Sequence, residues 1–314
     1  MFKSWRNWNT AAGEFQVTLG EKDGRPTRLQ ERDLARRVHH GQRCRLGLAL
    51  GGGGLRGLAH LGVLRALERA GIYPDLISGT SVGAVMAALY SRGYSPDALL
   101  ELFQKELAFG PLMRLVPGAG ILKTWSLFRF GGWRRKLRRY LGDATLEQLP
   151  IPVYPVSTDL ISGTCVVRDR GDAVDALLES FNLPGFSRPI VRDGAALVDG
   201  GVLTNVPGHV ARGRGADLVV GVNLCARPGA TRPTALVGRV ADLGFLGVLR
   251  RVLEVQRSSV LPAGPGAVDL MIAPDLGAHG YFRYSKFAEL ARVGEAAAEE
   301  AIPALTGLLA DRFS

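Results

Sequence analysis

Two glycine-rich turns, each between a short apolar run and a helical pattern, dominate the first third of the chain. The first turn is Gly51–Gly57, with the sequence GGGGLRG, inside the segment 45–70. The second is Gly79–Gly83, with the sequence GTSVG, inside the segment 76–92. Two strand–turn–helix units in succession are typical of α/β folds built on a parallel sheet.

The second turn fits the pattern G-x-S-x-G, with Ser81 at its centre. A serine on a sharp strand-to-helix turn has its hydroxyl exposed for attack, and Gly79 and Gly83 let the backbone make that turn. A helix that begins at Val82 would direct its free N–H groups and positive dipole end towards the serine oxygen. The pattern therefore predicts that Ser81 is a nucleophile.

The first turn predicts a site for a developing negative charge. Gly52, Gly53 and Gly54 have no β-carbons, so their N–H groups can face one point and hold an oxyanion. One such donor lowers a reaction barrier by roughly 3 kcal/mol. Arg56 and Gly57 complete this loop and are expected to support it.

The same loop also fits the dinucleotide-binding pattern G-x-G-x-x-G. Asp75 lies roughly 20 residues further on, the usual spacing of a ribose-binding acid. However, Asp75 precedes the next predicted strand, whereas a ribose-binding acid follows its strand. The position of Asp75 therefore disfavours dinucleotide binding.

Further apolar runs alternate with helical patterns along the rest of the chain. Strands are predicted at 152–158, 166–167, 195–198, 217–223 and 268–272, and helices at 96–103, 173–180 and 295–309. This order predicts a three-layer α/β fold, with a mainly parallel sheet between helices on both faces. The catalytic groups are expected at the carboxyl ends of the strands.

Composition predicts a basic globular protein with one main domain. Apolar residues make up 46% of the chain and charged residues 22%, and the net charge is +10. We expect a basic N-terminal arm over 1–43 and a hydrolase domain over 44–314, with its core motifs in 45–210. The absence of a signal-peptide pattern, and of any apolar run of about 18 residues, predicts a cytoplasmic location. Cys44, Cys165 and Cys225 are too far apart in sequence to suggest disulfides or zinc.

The positive charge favours anionic partners, and two segments bear on contact with a membrane. The stretch Trp133–Tyr140, with the sequence WRRKLRRY, either lies on an anionic lipid surface or packs Trp133, Leu137 and Tyr140 inward. The irregular apolar segment 108–130 is a candidate lid or interfacial loop. No scaffold for nucleic-acid binding is recognisable.

A nucleophilic serine needs a base, and two kinds are available. The order Ser81, Asp199, then His209 or His279 would fit an ordinary hydrolase triad, although neither histidine lies in a recognisable motif. Alternatively, Asp199 accepts the proton directly, with Gly200 letting the backbone turn the carboxylate towards the serine.

Three elements in this order resemble the patatin-like phospholipase family. They are the loop Gly52–Gly57, the turn Gly79–Gly83 and the Asp199-Gly200-Gly201 element, which is followed by Asn205 and Pro207. The resemblance runs over about half of the chain. It implies a fold related to cytosolic phospholipase A2 and a Ser–Asp dyad without a catalytic histidine.

Carried over by position, the resemblance implies that Ser81 is the nucleophile and Asp199 the general base. The amides of the glycine loop form the oxyanion hole, and no cofactor or metal is required. The implied reaction is hydrolysis of lipid acyl esters, of the phospholipase A, lysophospholipase or esterase type. One departure is the segment Glu179–Pro184, which keeps a serine and a proline but lacks the family's alanine. A catalytically silent member, acting as a regulatory or interaction protein, is the main alternative of another kind.

Overall fold

The structure is a computed structural model of the 314-residue chain. It describes residues 44–107, 130–184, 187–225, 267–276 and 287–312. The predicted arm 1–43, most of the candidate lid and His279 lie outside the described residues.

Helices and strands alternate through most of the described chain. The strands are β1 Leu46–Leu50, β2 Leu76–Thr80, β3 Val153–Asp159, β4 Thr164–Val167, β5 Ile190–Arg192, β6 Ala195–Asp199, β7 Leu218–Val222 and β8 Leu270–Ile272. The helices are α1 Leu58–Arg69, α2 Val82–Ser91, α3 Pro96–Leu107, α4 Phe130–Leu141, α5 Ala173–Ser180, α6 Gly208–Gly213 and α7 Phe287–Asp311. Short 3-10 helices occupy Gly54–Gly57, Leu146–Gln148 and Gly200–Val202.

The eight strands form one mixed sheet, in which hydrogen-bonded pairs connect the strands in the sequence β5-β6-β3-β2-β1-β7-β8, and β4 also pairs with β3. The run from β3 through β2, β1 and β7 to β8 is parallel. The strands β4, β6 and β5 join it in antiparallel pairs. This confirms the predicted α/β class and the parallel centre of the sheet.

Alternating side chains of the central strands feed two separate cores. Leu48 and Val220 belong to the larger core, which includes residues of α1, α2, α5 and α7. Their neighbours along the same strands belong to a smaller core with Ala211 of α6: Ala49 follows Leu48, and Val219 precedes Val220. Because both faces are covered, β1 and β7 are buried along their whole length. Helices therefore pack on both sides of the sheet, as predicted.

Helices α1 and α7 cross at two glycines, where their backbones come into direct contact. A β-carbon on Gly62 would lie 1.8 Å from the Ala291 carbonyl oxygen, and one on Gly294 would lie 2.0 Å from that of Ala59. No other residue could occupy either position without separating the helices. The last described helix is thus packed tightly against the helix that follows the glycine-rich loop.

The structure departs from the sequence predictions at some elements, of which β5 and α7 are examples. Strand β5 was not predicted, because three residues at the edge of a sheet carry too short a pattern to recognise. Helix α7 begins at Phe287 rather than at 295, because its first two turns pack Phe287, Leu290 and Ala291 against the core.

Candidate active site

Ser81 lies alone between the end of β2 and the start of α2. Its backbone angles are φ 56° and ψ −125°, in a region that residues other than glycine rarely occupy. Such a conformation costs about 1–3 kcal/mol and persists only where the surroundings enforce it. Ser81 is also 95% buried, with a relative exposure of 5%. The strained elbow predicted from G-x-S-x-G is therefore present.

The two flanking glycines are required by close backbone packing. A β-carbon on Gly83 would lie 2.2 Å from the carbonyl oxygen of Leu50, and one on Gly79 would lie 2.6 Å from the backbone of Ala84. Both distances are far below van der Waals contact. The elbow is thereby pressed against the end of β1, next to the glycine-rich loop.

A second serine holds the backbone of the elbow. The N–H of Ser81 donates to Ser180 Oγ at 3.0 Å, and the Ser180 hydroxyl donates to the Val156 carbonyl oxygen at 2.6 Å. Ser180 is the last residue of α5 and is fully buried. Sequence reasoning noted Ser180 only as part of a departure from the family pattern and did not predict this contact.

Asp199 reaches the elbow because β6 continues the line of β2 along one edge of β3. Ile77 N–H donates to Pro152 O, just before β3, and Leu160 N–H, just after β3, donates to Ala196 O. Strands β2 and β6 therefore both bond to even-numbered residues along this segment. Since successive residues of a strand face opposite edges, β2 and β6 share one edge. Thr80 pairs with Val156, and Asp199 pairs with the next residue, Ser157.

Strand β2 is parallel to β3 and β6 is antiparallel, so their carboxyl ends meet head-on between Val156 and Ser157. Ser81 follows one of these ends, and Asp199 is the last residue of the other. The structure therefore brings these two predicted site residues to the same point of the sheet.

Asp199 is fully buried and held at its backbone and its side chain. Its N–H donates to the Asn182 carbonyl at 2.8 Å, and its Oδ1 accepts from Gly201 N–H at 2.8 Å. A β-carbon on Gly200 would lie 2.3 Å from the Val156 carbonyl oxygen. The glycine after Asp199 therefore allows the chain to pass directly over β3.

The glycine-rich loop lies beside Ser81. A β-carbon on Gly52 would lie 3.2 Å from Ser81 Cβ. The Gly52 N–H donates to the Asn205 carbonyl at 3.3 Å, which anchors the loop. Among the described residues, no backbone carbonyl accepts from the N–H of Gly53 or Gly54. Two amides of the loop are thus left for another acceptor, while that of Gly52 serves the fold.

Arg56 and Gly57 connect the glycine-rich loop to neighbouring elements. Arg56 is buried, and its Nη1 lies 3.5 Å from the carbonyl oxygen of Leu224, just beyond β7. A β-carbon on Gly57 would lie 2.4 Å from the side chain of Val82, the first residue of α2. These contacts tie the loop both to the sheet and to the serine elbow.

His60 supports the same loop from α1. It is fully buried, and its Nε2–H donates to the Gly51 carbonyl at 2.8 Å. Burial away from water lowers the pKa of His60 to about 4, so the imidazole is neutral at pH 7.

His209 is the candidate triad histidine that lies among the described residues. It is the second residue of α6, and burial lowers its pKa. No hydrogen bond in the described chain joins His209 to Ser81 or to Asp199. The structure therefore does not assemble a triad from these three residues.

The basic stretch Trp133–Tyr140 packs inward along α4. Leu137 is buried, and the Trp133 ring meets the Phe181 ring edge-on, with centroids 5.5 Å apart. Most of the basic side chains form salt bridges. Lys136 and Arg139 both pair with Glu106, Arg134 pairs with Asp175, and Arg138 pairs with Asp172. This arrangement favours the packing interpretation of the stretch over the membrane one.

The fold and these turns define an α/β protein with a glycine-rich loop, a serine elbow and a buried aspartate at the carboxyl ends of β1, β2 and β6. The family model of the patatin-like phospholipases matches residues 48–212, just over half of the chain. The chain therefore belongs to the patatin-like phospholipase family.

Curated relatives share the same region. The chain is 34% identical over 182 residues to patatin-like phospholipase domain-containing protein 6 of Homo sapiens, covering 57% of this chain and 13% of that one. It is 36% identical over 194 residues to an uncharacterized NTE family protein of Mycobacterium tuberculosis, covering 60% and 52%. The chain thus spans about half, or much less, of the length of these relatives.

The solved structures that resemble this chain are more distant in sequence. VipD from Legionella pneumophila has a TM-score of 0.49 at 16% identity, covering 83% of this chain and 67% of that one. Human GIVD cytosolic phospholipase A2 has a TM-score of 0.49 at 13% identity, covering 90% and 61%. The family assignment rests on the sequence match and not on these similarities.

No helix within the described ranges is long and apolar enough to cross a membrane.

Proposed function

We propose that this protein hydrolyses acyl esters of lipids, with Ser81 as the nucleophile and Asp199 as the general base. The observation that carries the proposal is the head-on meeting of β2 and β6, which directs the serine elbow and the buried aspartate to one point. Membership of the patatin-like phospholipase family supports a lipid substrate.

In the first half-reaction, the Ser81 hydroxyl attacks the ester carbonyl carbon and its proton passes to the Asp199 carboxylate. The carbonyl π electrons move to the oxygen, which becomes an oxyanion. When the tetrahedral intermediate collapses, the bond to the leaving alcohol breaks and Asp199 returns the proton to that alcohol. In the second half-reaction, water replaces the alcohol, and the acid product and free Ser81 are released.

The N–H groups of Gly53 and Gly54 are the proposed oxyanion donors. They follow the residue that packs against Ser81 Cβ, and their amides are not used by backbone carbonyls of the described chain. The role proposed for Gly52 is different, because its amide bonds to Asn205 and holds the loop in place. Preorganised amides of this kind stabilise the transition state without reorganising during the reaction.

The proposed substrates are phospholipids, lysophospholipids or simpler acyl esters, and no cofactor or metal is needed for this chemistry. We propose a cytoplasmic protein that meets lipid aggregates peripherally. An anionic lipid surface is the partner that the net charge of +10 favours, and a role in nucleic-acid binding is not proposed.

The dyad is tested by assaying the wild type, Ser81→Ala and Asp199→Asn on a short-chain p-nitrophenyl ester and on phospholipid vesicles. Both variants are expected to fold and to lose activity. Ser91→Ala is the matched control, because Ser91, the last residue of α2, is also a buried serine, and its hydroxyl bonds only to Ile151 in the described chain.

A fluorophosphonate probe, followed by mass spectrometry, identifies the attacking oxygen. Labelling of Ser81 in the wild type is expected, and none in Ser81→Ala. Activity that persists in folded Ser81→Ala would overturn the assignment of the nucleophile. A wild type that is inert towards every ester and towards the probe would favour the silent, interaction-protein alternative.

A further inference from the structure

Asn205 lies on the loop between β6 and α6, directly beside the proposed site. Its carbonyl accepts the N–H of Gly52, and the carbonyl of the preceding Thr204 accepts the Thr80 hydroxyl at 2.9 Å. The backbone at 204–205 therefore joins the glycine-rich loop to the end of β2. The Asn205 side chain is fully buried.

Among the residues that the structure describes, neither Nδ2 nor Oδ1 of the Asn205 carboxamide has a hydrogen-bond partner. A buried polar group without a partner is destabilising, and native proteins rarely leave one so. Asn182, which is equally buried, shows the ordinary situation. Its Nδ2 donates to the carbonyls of Arg188 and Leu197 at 3.0 and 2.9 Å, and its Oδ1 accepts from Ser187 Oγ.

The unpartnered group is close to the serine. A β-carbon on Gly52 would lie 3.0 Å from Asn205 Oδ1 and 3.2 Å from Ser81 Cβ. The carboxamide and the Ser81 side chain thus lie on either side of the same point of the loop. The separation of Asn205 Oδ1 from Ser81 Cβ cannot exceed the sum of the two distances measured from that point. A half-turn about χ2 presents either end of the carboxamide to that point.

We propose that Asn205 is a further catalytic residue, whose Nδ2–H donates a hydrogen bond to the ester oxygen that becomes anionic during attack by Ser81. The inference rests on the proposed function, because it requires an acyl ester at Ser81. The oxygen of a bound ester would supply the acceptor that the Asn205 Nδ2–H lacks, beside the loop whose Gly53 and Gly54 amides are the other proposed donors. Asn205 would then be kept unsatisfied in the free protein to bind the transition state.

The test compares Asn205→Ala and the similarly branched but apolar Asn205→Leu with the wild type. The measurements are kcat and KM on a p-nitrophenyl ester, the rate of Ser81 labelling by a fluorophosphonate, and the Tm. Asn182→Ala is the matched control for stability, since it removes a buried asparagine side chain whose Nδ2 and Oδ1 both form hydrogen bonds.

Both Asn205 variants are expected to lose about 10²-fold in kcat, the usual effect of one oxyanion donor, with KM nearly unchanged. Labelling of Ser81 should slow in parallel. The Tm should stay level or rise, because no native hydrogen bond is lost, whereas Asn182→Ala should lower it.

An unchanged kcat in either folded variant would overturn the role of Asn205 and leave the Ser81–Asp199 proposal intact. Unfolding of both variants would also overturn it, because the carboxamide would then serve the fold. A wild type without esterase activity would overturn both proposals together.

Discussion

The hydroxyl of Ser180 fastens the backbone of Ser81, although 99 residues separate them. It accepts the Ser81 N–H and donates to Val156, whose carbonyl stands where β2 and β6 meet. One side chain thus links the strained residue to the strand that aligns it with Asp199. Because the φ of 56° at Ser81 is costly, loss of this link should let the elbow relax.

Ser180→Ala is therefore expected to lower kcat more than it raises KM and to cost about 1–3 kcal/mol of stability, since it leaves the buried Ser81 amide without its acceptor. Urea unfolding and steady-state kinetics measure the two effects. Ser180→Thr keeps the hydroxyl and should recover part of the activity. Equal kcat values for the alanine variant and the wild type would rule out the proposed dependence of the elbow on Ser180.

Two helical glycines provide a matched pair for testing the α1–α7 crossing. Gly62→Ala should lose at least about 2 kcal/mol, because its new methyl group would overlap the Ala291 carbonyl. Gly132→Ala, in α4, should gain about 0.5–1 kcal/mol, because nothing lies within 4 Å of the new atom and alanine favours a helix. Chemical denaturation of both variants measures the difference. Similar stabilities would show that the helices can separate at little cost.

His60 should make stability depend on pH. The unfolded chain takes up a proton near pH 6.5, whereas the buried native imidazole, with a pKa of about 4, does not. The unfolded state therefore binds more protons between pH 6.5 and 4, so stability falls as the pH is lowered through that window, by up to about 3 kcal/mol. Below pH 4 this contribution should level off.

The measurement is the free energy of unfolding in urea at several pH values from 7 to 4, for the wild type and His60→Gln. Glutamine can still donate a hydrogen bond but does not titrate, so its curve should be flatter over this range. His209→Gln serves as the control for a half-buried histidine. If the wild type and His60→Gln have parallel curves, His60 is not the responsible group.

His209→Ala should separate the dyad from a triad. Because His209 has no hydrogen bond to Ser81 or Asp199 in the described chain, its kcat should remain within about twofold of the wild type, as for substitutions outside a site. Loss of activity in a folded His209→Ala protein would favour the Ser–His–Asp alternative instead. The same ester assay and a Tm measurement decide between them.

Local patterns were enough to predict the first half of the site. The strained Ser81, the tight packing of Gly79 and Gly83 and the buried β1 depend on residues within about one strand–turn–helix unit, where glycine placement and apolar spacing are informative. The residues alone made Asp199 a candidate base, either within a triad or by itself, and the family resemblance then favoured the Ser–Asp dyad. No local pattern indicates that antiparallel β6 continues the line of β2.

The contacts of Ser180, Asn205 and His60 could not be predicted from the sequence for a related reason. Each is a bond or a juxtaposition between a side chain and the backbone of another element, as with Ser180 on Ser81 and His60 on Gly51. Such contacts depend on how the elements pack, and serine, asparagine and histidine are common in turns and helices that have no role in a site.

The contact between α1 and α7 sets an order of events during synthesis of the chain. The family match ends at residue 212, yet the apolar side of α1, which supports the glycine-rich loop, is covered by residues 287–311. A ribosome-bound chain that ends near residue 212 would hold Ser81, Asp199 and both turns, but it would expose that side of α1 to water. We therefore expect that side of α1 to be covered only after residues 287–311 have been synthesised and α7 has packed against Gly62.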